Sequence, residues 1–176
     1  MNYFRPNITR MSGYVPGEQP QVGKFIKLNT NENPYPASSR VSQAIQQALA
    51  SGLTRYPDPF GEAFRIRAAK LWGVEKEWIL CGNGSDDILT ILTRAFVSAG
   101  QTLRLPYPSY ILYTTLAKIQ DANADEVMFQ RDWTLDDSFS RRKPDLQLAF
   151  LPNPNSPSGT LLPQETILRM ADELPC

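Results

Sequence analysis

An α/β fold with a largely parallel sheet flanked by helices is predicted by short apolar runs that alternate with segments of helical spacing. The runs that predict strands lie at 25–28, 78–81, 102–105, 126–129 and 146–151. Ligands of such sheets bind beyond the carboxyl ends of the strands. Three strand-end loops are therefore expected to converge on one pocket: residues 82–86, 106–110 and 153–159.

The segments of helical spacing carry start and stop signals. Ser38 or Ser39 caps the first, Ser109 caps the helix after the third apolar run, and Pro163 begins the last. Gly100 is expected to end the helix that follows the loop at 82–86. The apolar residues expected to face inward are Val41, Ile45, Leu49, Phe64, Leu71, Ile88, Leu89, Ile91, Leu92, Phe96, Leu112, Leu116, Ile119, Ile167, Leu168 and Met170.

Composition and charge exclude several classes of function. Lysine plus arginine equals aspartate plus glutamate at 18 each, which leaves no electrostatic footprint for nucleic acid or an anionic membrane. No apolar run approaches the roughly 20 residues of a membrane span, and residues 1–6 lack a signal-peptide layout. Two cysteines make no disulfide framework. A cytoplasmic protein that acts on a small molecule is expected.

The chain contains no histidine. Ser-His-Asp hydrolysis, Cys-His proteolysis and most zinc sites are thereby excluded. The remaining chemistry must use lysine, carboxylates, tyrosine or a cofactor that carries the reaction itself.

The loop from Gly82 to Asp86 is a candidate anion site, because free backbone N–H groups and the positive end of a helix dipole meet there. It lacks the lysine of a P-loop and the third glycine of a dinucleotide fingerprint. A small phosphate held by the backbone of Gly84, Ser85 and Asp86 and by the Ser85 hydroxyl remains. The Asp86 side chain is expected to turn back onto N–H groups of the first helical turn. The alternative is a plain glycine turn before a capped helix.

Two neighbouring loops supply further candidates. Tyr110, held in place by the neighbouring prolines that precede it, presents a flat ring that could stack on a planar cofactor, and Asn155 presents an amide that could bind a phenolic or carbonyl oxygen. Taken singly, Tyr110 is explained as a half-buried core tyrosine, and Asn155 is explained by ordinary turn chemistry. Asn31 and Asn33 stand in an amide-rich loop that by itself indicates an Asx-rich turn.

Together these motifs resemble the fold-type I pyridoxal-phosphate-dependent aminotransferases, and within them most closely the histidinol-phosphate aminotransferases. The motifs that carry the resemblance, in chain order, are 28–34, 55–57, 84–87, 108–110 and 153–159. The resemblance implies that the chain is an incomplete large domain of that fold, with pyridoxal 5'-phosphate as cofactor. It also implies a homodimer that transfers an amino group between histidinol phosphate and 2-oxoglutarate in histidine biosynthesis.

The resemblance assigns roles within the cofactor site. Gly84, Ser85 and Asp86 would hold the phosphate of pyridoxal phosphate, and Tyr110 would stack on its ring. Asn155 would hydrogen-bond the phenolic oxygen of the ring. The family often has asparagine directly before the last proline of this motif, where this chain has Ser156, so the contact falls to Asn155 or to Ser156.

It assigns other roles nearer the N-terminus. Tyr56 would reach the phosphate in the neighbouring subunit of the dimer, and Asn31 and Asn33 would lie over the substrate. Residues 1–37 would form an N-terminal arm and substrate-covering segment, and residues 38–176 a partial, truncated cofactor-binding domain.

The Schiff-base lysine of the family would come after residue 159, and no lysine here has its sequence context. The catalytic residue is therefore left unassigned, and the chain alone is expected to lack transaminase activity. Two alternatives stay open. One is a related enzyme, such as an aromatic aminotransferase or a threonine-phosphate decarboxylase. The other is a non-catalytic dimerising or phosphate-binding remnant.

Overall fold

The structure is a computed structural model that describes residues 3–12, 23 and 26–174. The chain divides into two compact units, one made of Met1–Met11 with Leu80–Cys176 and the other of Ser12–Ile79.

The first unit is built on a three-stranded sheet. Its strands are β1 (Thr102–Tyr107), β2 (Asn123–Met128) and β3 (Leu146–Ala149), in the order β2-β1-β3. Both pairings of β1 are parallel, with a register irregularity between Thr102 and Leu103 on the β3 side. The predicted parallel α/β arrangement is therefore confirmed.

The described residues of this unit form four helices: α1 (Pro6–Thr9), α4 (Ser85–Phe96), α5 (Leu112–Gln120) and α6 (Gln164–Glu173). Helix α4 packs against α5 and β3, and α5 packs against β1 and β2. The chain thus crosses from each strand to the next parallel strand through an excursion that covers the sheet, as parallel pairing requires.

Alternation along the strands divides the core into two clusters. Leu103, Leu105 and Phe150 pack with Tyr113 and Ala117 of α5. On the other side, Ala149 and Leu151 join a cluster around Phe139 and Met170, both of which are fully buried. The polar excursion at 133–143 contributes Leu135 and Phe139 to this second cluster, which explains why it stays ordered without a helix of its own.

Arg104 is a charged residue at the centre of β1 and is 4% exposed. Its Nε and Nη2 donate to Oδ2 of Asp125 at 2.8 and 2.7 Å. Its Nη1 donates to the carbonyl oxygens of Phe139 and Arg141 at 2.7 and 2.6 Å. The guanidinium therefore joins the two neighbouring strands to the excursion at 133–143, and its burial is compensated by four hydrogen bonds.

The N-terminal segment of this unit caps a helix. Arg5 Nη2 donates to the carbonyl of Ile119 at 2.7 Å, and Asn7 Nδ2 donates to the carbonyl of Lys118 at 2.9 Å. These carbonyls belong to the last turn of α5, beyond which the helix supplies no further N–H groups; the N–H of Asp121 at the helix end also reaches the Lys118 carbonyl, at 3.2 Å. Residues 3–11 are thus held by the C-terminal end of α5, and α1 is a short helix that the sequence pattern did not predict.

The second unit contains α2 (Ser39–Ala50), α3 (Glu62–Trp72) and a 3₁₀ turn at Lys76–Trp78. Ser38 caps α2 as predicted, with its hydroxyl accepting from the N–H of Arg40 at 3.4 Å. The carboxylate of Asp58 accepts the N–H groups of Phe60 and Glu62, which holds the pKa of Asp58 below its ordinary value. This carboxylate therefore fixes the turn that leads into α3.

Two predicted strands do not form. The residues at 79–81 are without strand pairing, and the backbone of Ile79 is extended, with φ −114° and ψ 119°. Residues 26–28 also form no strand, and Phe25 lies outside the described residues. A strand needs a hydrogen-bonded neighbour, which an apolar run does not by itself supply.

Several predicted helix faces and ends are also wrong. Helix α4 ends at Phe96 and not near Gly100, and Ser109 does not cap α5, because its hydroxyl bonds Asn155. In α3 the small Ala68 and Ala69 are buried. Apolar side chains that were predicted to face inward but are exposed are Val41, Ile45, Leu49, Phe64, Leu71, Ile91, Phe96, Ile119 and Leu168. A helical pattern identifies an apolar stripe but not whether another element covers it.

Replacing Arg104 with methionine is predicted to destabilise the first unit by about 3 kcal/mol, the lower end for a broken buried pair, because the carbonyls of Phe139 and Arg141 lose a charged donor and the partly exposed Asp125 keeps only Lys143 at 4.0 Å. Denaturant unfolding followed by tryptophan fluorescence and circular dichroism measures this. The matched control is Arg169→Met, which removes an exposed ion pair with Asp137 and Glu173 and should change stability by less than about 1 kcal/mol. Equal losses in the two variants would contradict the role assigned to Arg104.

Candidate functional site

The turn before α4 depends on two glycines. A Cβ on Gly82 would lie 2.8 Å from Cδ1 of Ile88 and 2.9 Å from Oδ2 of Asp87, so the backbone passes close to the helix only because that atom is absent. Gly84 has φ 81° and ψ −179°, a conformation that side-chain-bearing residues rarely adopt. Apart from the adjoining chain, no atom of the described residues lies within 4 Å of the position where a Cβ of Gly84 would stand. The turn therefore presents an open backbone surface at the start of α4.

The first turn of α4 keeps its anion-binding character. Within the part of the chain that the structure describes, no side chain caps the helix at Gly84. Ser85 is exposed, and its hydroxyl has no partner among the described residues. Asp87 bonds the turn instead, because its Oδ2 accepts the N–H of Asn83 at 3.1 Å. The uncapped N–H groups and the helix dipole leave a positive end that faces solvent.

Asp86 differs from the prediction in what it bonds. Its side chain was expected to turn back onto backbone N–H groups, but Oδ2 of Asp86 accepts the hydroxyl of Tyr110 at 3.2 Å. The neighbouring Asp87 takes the backbone contact. A first-turn acid can reach either partner, and only the fold brings a tyrosine hydroxyl within reach of Asp86.

Tyr110 lies half-buried beside the start of α4. Besides its bond to Asp86, its ring packs edge-on against Tyr113, with centroids 5.8 Å apart and an interplanar angle of 87°. Tyr113 in turn stacks on Phe150 of the core at 5.1 Å. The loop after β1 thus brings an aromatic ring to the anion-binding turn, as the convergence of strand-end loops predicted.

Asn155 joins the loops after β1 and β3. It is 3% exposed, and its Oδ1 accepts the hydroxyl of Ser109 at 2.8 Å. Its Nδ2 donates to the carbonyl of Pro108 at 3.2 Å and to Oγ of Ser158 at 2.9 Å. Sequence reasoning found Asn155 but missed Ser109 and Ser158 as its partners. Each of these serines directly follows a proline, and that pattern could have marked them as partners. A serine beside a proline is also common in turns, so the pattern was interpreted as ordinary turn chemistry.

The remaining predicted site residues belong to the second unit. Tyr56 is fully exposed, and Asn31 has a positive φ of 54°. The side chain of Asn33 accepts the N–H of Tyr35 at 3.0 Å, which is the Asx turn that the local sequence indicates.

A separate cleft lies between β2 and the excursion at 133–143. Arg104, Asp125, Arg141, Arg142 and Lys143 are among the residues that line it, and none of the predicted site residues does. Among the described residues, no group of three metal-ligating side chains gathers, and no helix there is long and apolar enough to cross a membrane.

The charge of Asp86 affects the pKa of Tyr113. Burial raises the pKa of the Tyr113 phenol, and the negative charge of Asp86 raises it further. Asp86→Asn is therefore predicted to lower the pKa of Tyr113 while leaving it above its ordinary value, because burial remains. Spectrophotometric titration of tyrosine, with Tyr113→Phe to assign the transition and circular dichroism to confirm folding, measures the change. An unchanged or raised pKa in Asp86→Asn would contradict this placement of the carboxylate.

Curated relatives match the chain along nearly its whole length. A histidinol-phosphate aminotransferase of Rhodopirellula baltica is 55% identical over 98% of this chain and 48% of its own length. Histidinol-phosphate aminotransferase 1 of Trichormus variabilis is 43% identical over 98% of this chain and 49% of its own length. The chain thus spans about half the length of the curated relatives it matches.

Solved structures share the fold. A histidinol-phosphate aminotransferase from Sinorhizobium meliloti, solved in complex with pyridoxal-5'-phosphate, matches with a TM-score of 0.82 at 23% identity. That match covers 99% of this chain and 49% of the other. The family model described as aminotransferase class I and II matches residues 23–175. The chain belongs to the class I and II aminotransferase family.

Proposed function

We propose that this chain carries the phosphate-binding and ring-stacking part of a pyridoxal-phosphate site in a histidinol-phosphate aminotransferase. One observation carries the proposal. The hydroxyl of Tyr110 bonds Asp86 at 3.2 Å, which holds an aromatic ring beside the uncapped N-terminus of α4. A planar cofactor with a phosphate tail needs these two features next to each other.

The residues present fit the phosphate. The backbone N–H groups of the first turn of α4, which have no intrahelical acceptor, offer donors to phosphate oxygens together with the Ser85 hydroxyl. The Asp86 carboxylate would repel an anion. Its Oδ2, however, accepts a hydrogen bond from the Tyr110 hydroxyl, which partly offsets the negative charge. The open space at Gly84 lets a ligand approach the backbone closely.

The residues of this chain bind and orient, and the cofactor supplies the electron sink for amino transfer. Ser85 and the first turn of α4 fix the phosphate end. Tyr110 fixes the plane of the ring, and its bond to Asp86 restricts rotation of the tyrosine. Asn31 and Asn33 cover the substrate in this proposal, and Tyr56 reaches the phosphate in the neighbouring subunit of a homodimer.

The relatives support the proposed reaction. Both curated relatives named above carry the name histidinol-phosphate aminotransferase, and one of them is 55% identical to this chain. We therefore infer amino transfer between histidinol phosphate and 2-oxoglutarate, in the cytoplasm, as a step of histidine biosynthesis. Residues 1–37 serve as arm and substrate cover, and residues 38–176 contribute to the cofactor-binding domain.

Pyridoxal phosphate is predicted to bind the chain at the start of α4, and Ser85→Ala is predicted to weaken that binding roughly tenfold or more. A hydrogen bond to a charged group contributes about 1.5–3 kcal/mol. Equilibrium dialysis with pyridoxal phosphate measures the affinity. The matched control is Ser98→Ala, just beyond the opposite end of α4, which should bind as the unchanged chain does.

Pyridoxal without the phosphate provides the second control. It reacts with exposed lysines less readily than pyridoxal phosphate does, because its 5'-hydroxymethyl group closes onto the aldehyde. The effect of Ser85→Ala on each ligand therefore reports the phosphate contact, and the effect should be confined to pyridoxal phosphate. Equal affinity for both ligands, or no effect of Ser85→Ala, would overturn the proposed site.

A further inference from the structure

We propose that Asn155 is a positioning residue whose buried amide ties the loop after β3 to the loop after β1 and so fixes Tyr110 beside α4. This inference rests on the proposed function, because it deepens the account of the same site. It differs from the role that the family resemblance implies, in which Asn155 bonds the phenolic oxygen of the cofactor.

The hydrogen bonds of Asn155 carry the first step. A side-chain amide has two N–H donors, and here one points to the carbonyl of Pro108 and the other to Oγ of Ser158. Its oxygen already accepts from Ser109. Donation to a ligand oxygen would therefore require one of these bonds to break.

The burial of Asn155 makes these hydrogen bonds costly to break. Asn155 is 3% exposed, and its backbone is also paired, since its N–H donates to the carbonyl of Thr160 at 2.9 Å and its carbonyl accepts from Gly159 at 2.7 Å. A buried polar group that loses its partner costs far more than an exposed one. The amide is thus committed to holding the two loops together.

The connection to Tyr110 carries the third step. Ser109, which bonds Asn155, directly precedes Tyr110, and Pro108 directly precedes Ser109. Both contacts of Asn155 with the loop after β1 therefore fall on the two residues that lead into the tyrosine. Tyr110 then reaches Asp86 at 3.2 Å, so the chain of contacts runs from β3 through Asn155 to the first turn of α4.

Ser156 provides a contrast within the same loop. It is exposed, and its hydroxyl has no partner among the described residues. Its neighbours Asn153 and Ser158 are both bonded, Asn153 to the backbone of Leu162 and Ser158 to Asn155. Ser156→Ala is therefore a matched control, because it removes a polar group from the loop without touching the buried contacts.

The first experiment is a double-mutant cycle on the cofactor-free chain, with Asn155→Ala, Ser109→Ala and both together. Each single variant is expected to lower the equilibrium constant for folding at least fivefold, and the double variant to lose less than the product of the two, because they share one bond. Ser156→Ala should leave the constant unchanged. Additive losses, or no loss in Ser109→Ala, would overturn the inference.

The second experiment reads the position of Tyr110 directly. The ring signals of Tyr110 in the proton NMR spectrum, assigned by difference from Tyr110→Phe, should shift in Asn155→Ala and in Ser109→Ala but not in Ser156→Ala. If Asn155 had only a general structural role, the Tyr110 signals in Ser109→Ala would not shift in the same direction as those in Asn155→Ala. If Asn155→Ala does not fold, Ser109→Ala alone decides the outcome, because it removes a single hydroxyl.

Binding of pyridoxal phosphate separates this inference from the proposed function. If Asn155→Ala loses binding while its cofactor-free stability and Tyr110 signals stay unchanged, Asn155 is a cofactor ligand and the inference is wrong. If the unchanged chain shows no binding that depends on the phosphate, the proposed function fails, and the cycle without cofactor still tests the link between the loops.

Discussion

The parallel pairing of β1 with β3 is the constraint on which the candidate site depends. Strands that run the same way end at the same edge of a sheet, so the loop at 108–111 and the loop at 150–160 must emerge together. Helix α4 packs on α5 and β3, and the hydrogen bond from Tyr110 to Asp86 ties its first turn to the loop after β1. The hydrogen bonds of Asn155 and Tyr110 then join neighbours that the sheet has already placed.

The parallel sheet itself depends on how β1 is buried. Leu103 and Leu105 face one cluster, and Arg104 between them faces the other, where it bonds Asp125 and two carbonyls. An arginine at the centre of a buried strand is tolerated because each bond replaces one that water would have made. The same residue holds the irregular segment at 133–143 against the sheet, so a part of the chain without helix or strand still closes the second cluster.

The sequence alone was sufficient for the fold class, for the existence of three strands near 102–105, 126–129 and 146–151 and for the convergence of their loops, although the observed strands span 102–107, 123–128 and 146–149. The spacing of apolar residues and the turn-forming residues of the loops are local features of the sequence, and they are enough to predict strands, helices and their order. It failed where the outcome depends on a partner distant in sequence. The run at 78–81 is apolar and extended at Ile79 but has no strand beside it among the described residues, and Phe64 and Leu71 mark an apolar stripe that stays exposed. Ser109 was predicted to cap a helix and instead bonds Asn155, because a hydroxyl takes whichever acceptor the fold brings near.

The most direct test of the account is to map amide NMR shifts of the chain while pyridoxal phosphate is added. If the start of α4 holds the phosphate, the largest shifts will fall on the backbone N–H groups of Ser85 and Asp86, with a change in the ring signals of Tyr110. The cleft lined by Arg141, Arg142 and Lys143 offers the competing basic surface. Shifts confined to that cleft, or shifts of the same size with pyridoxal lacking its phosphate, would contradict the central claim that the start of α4 holds the phosphate.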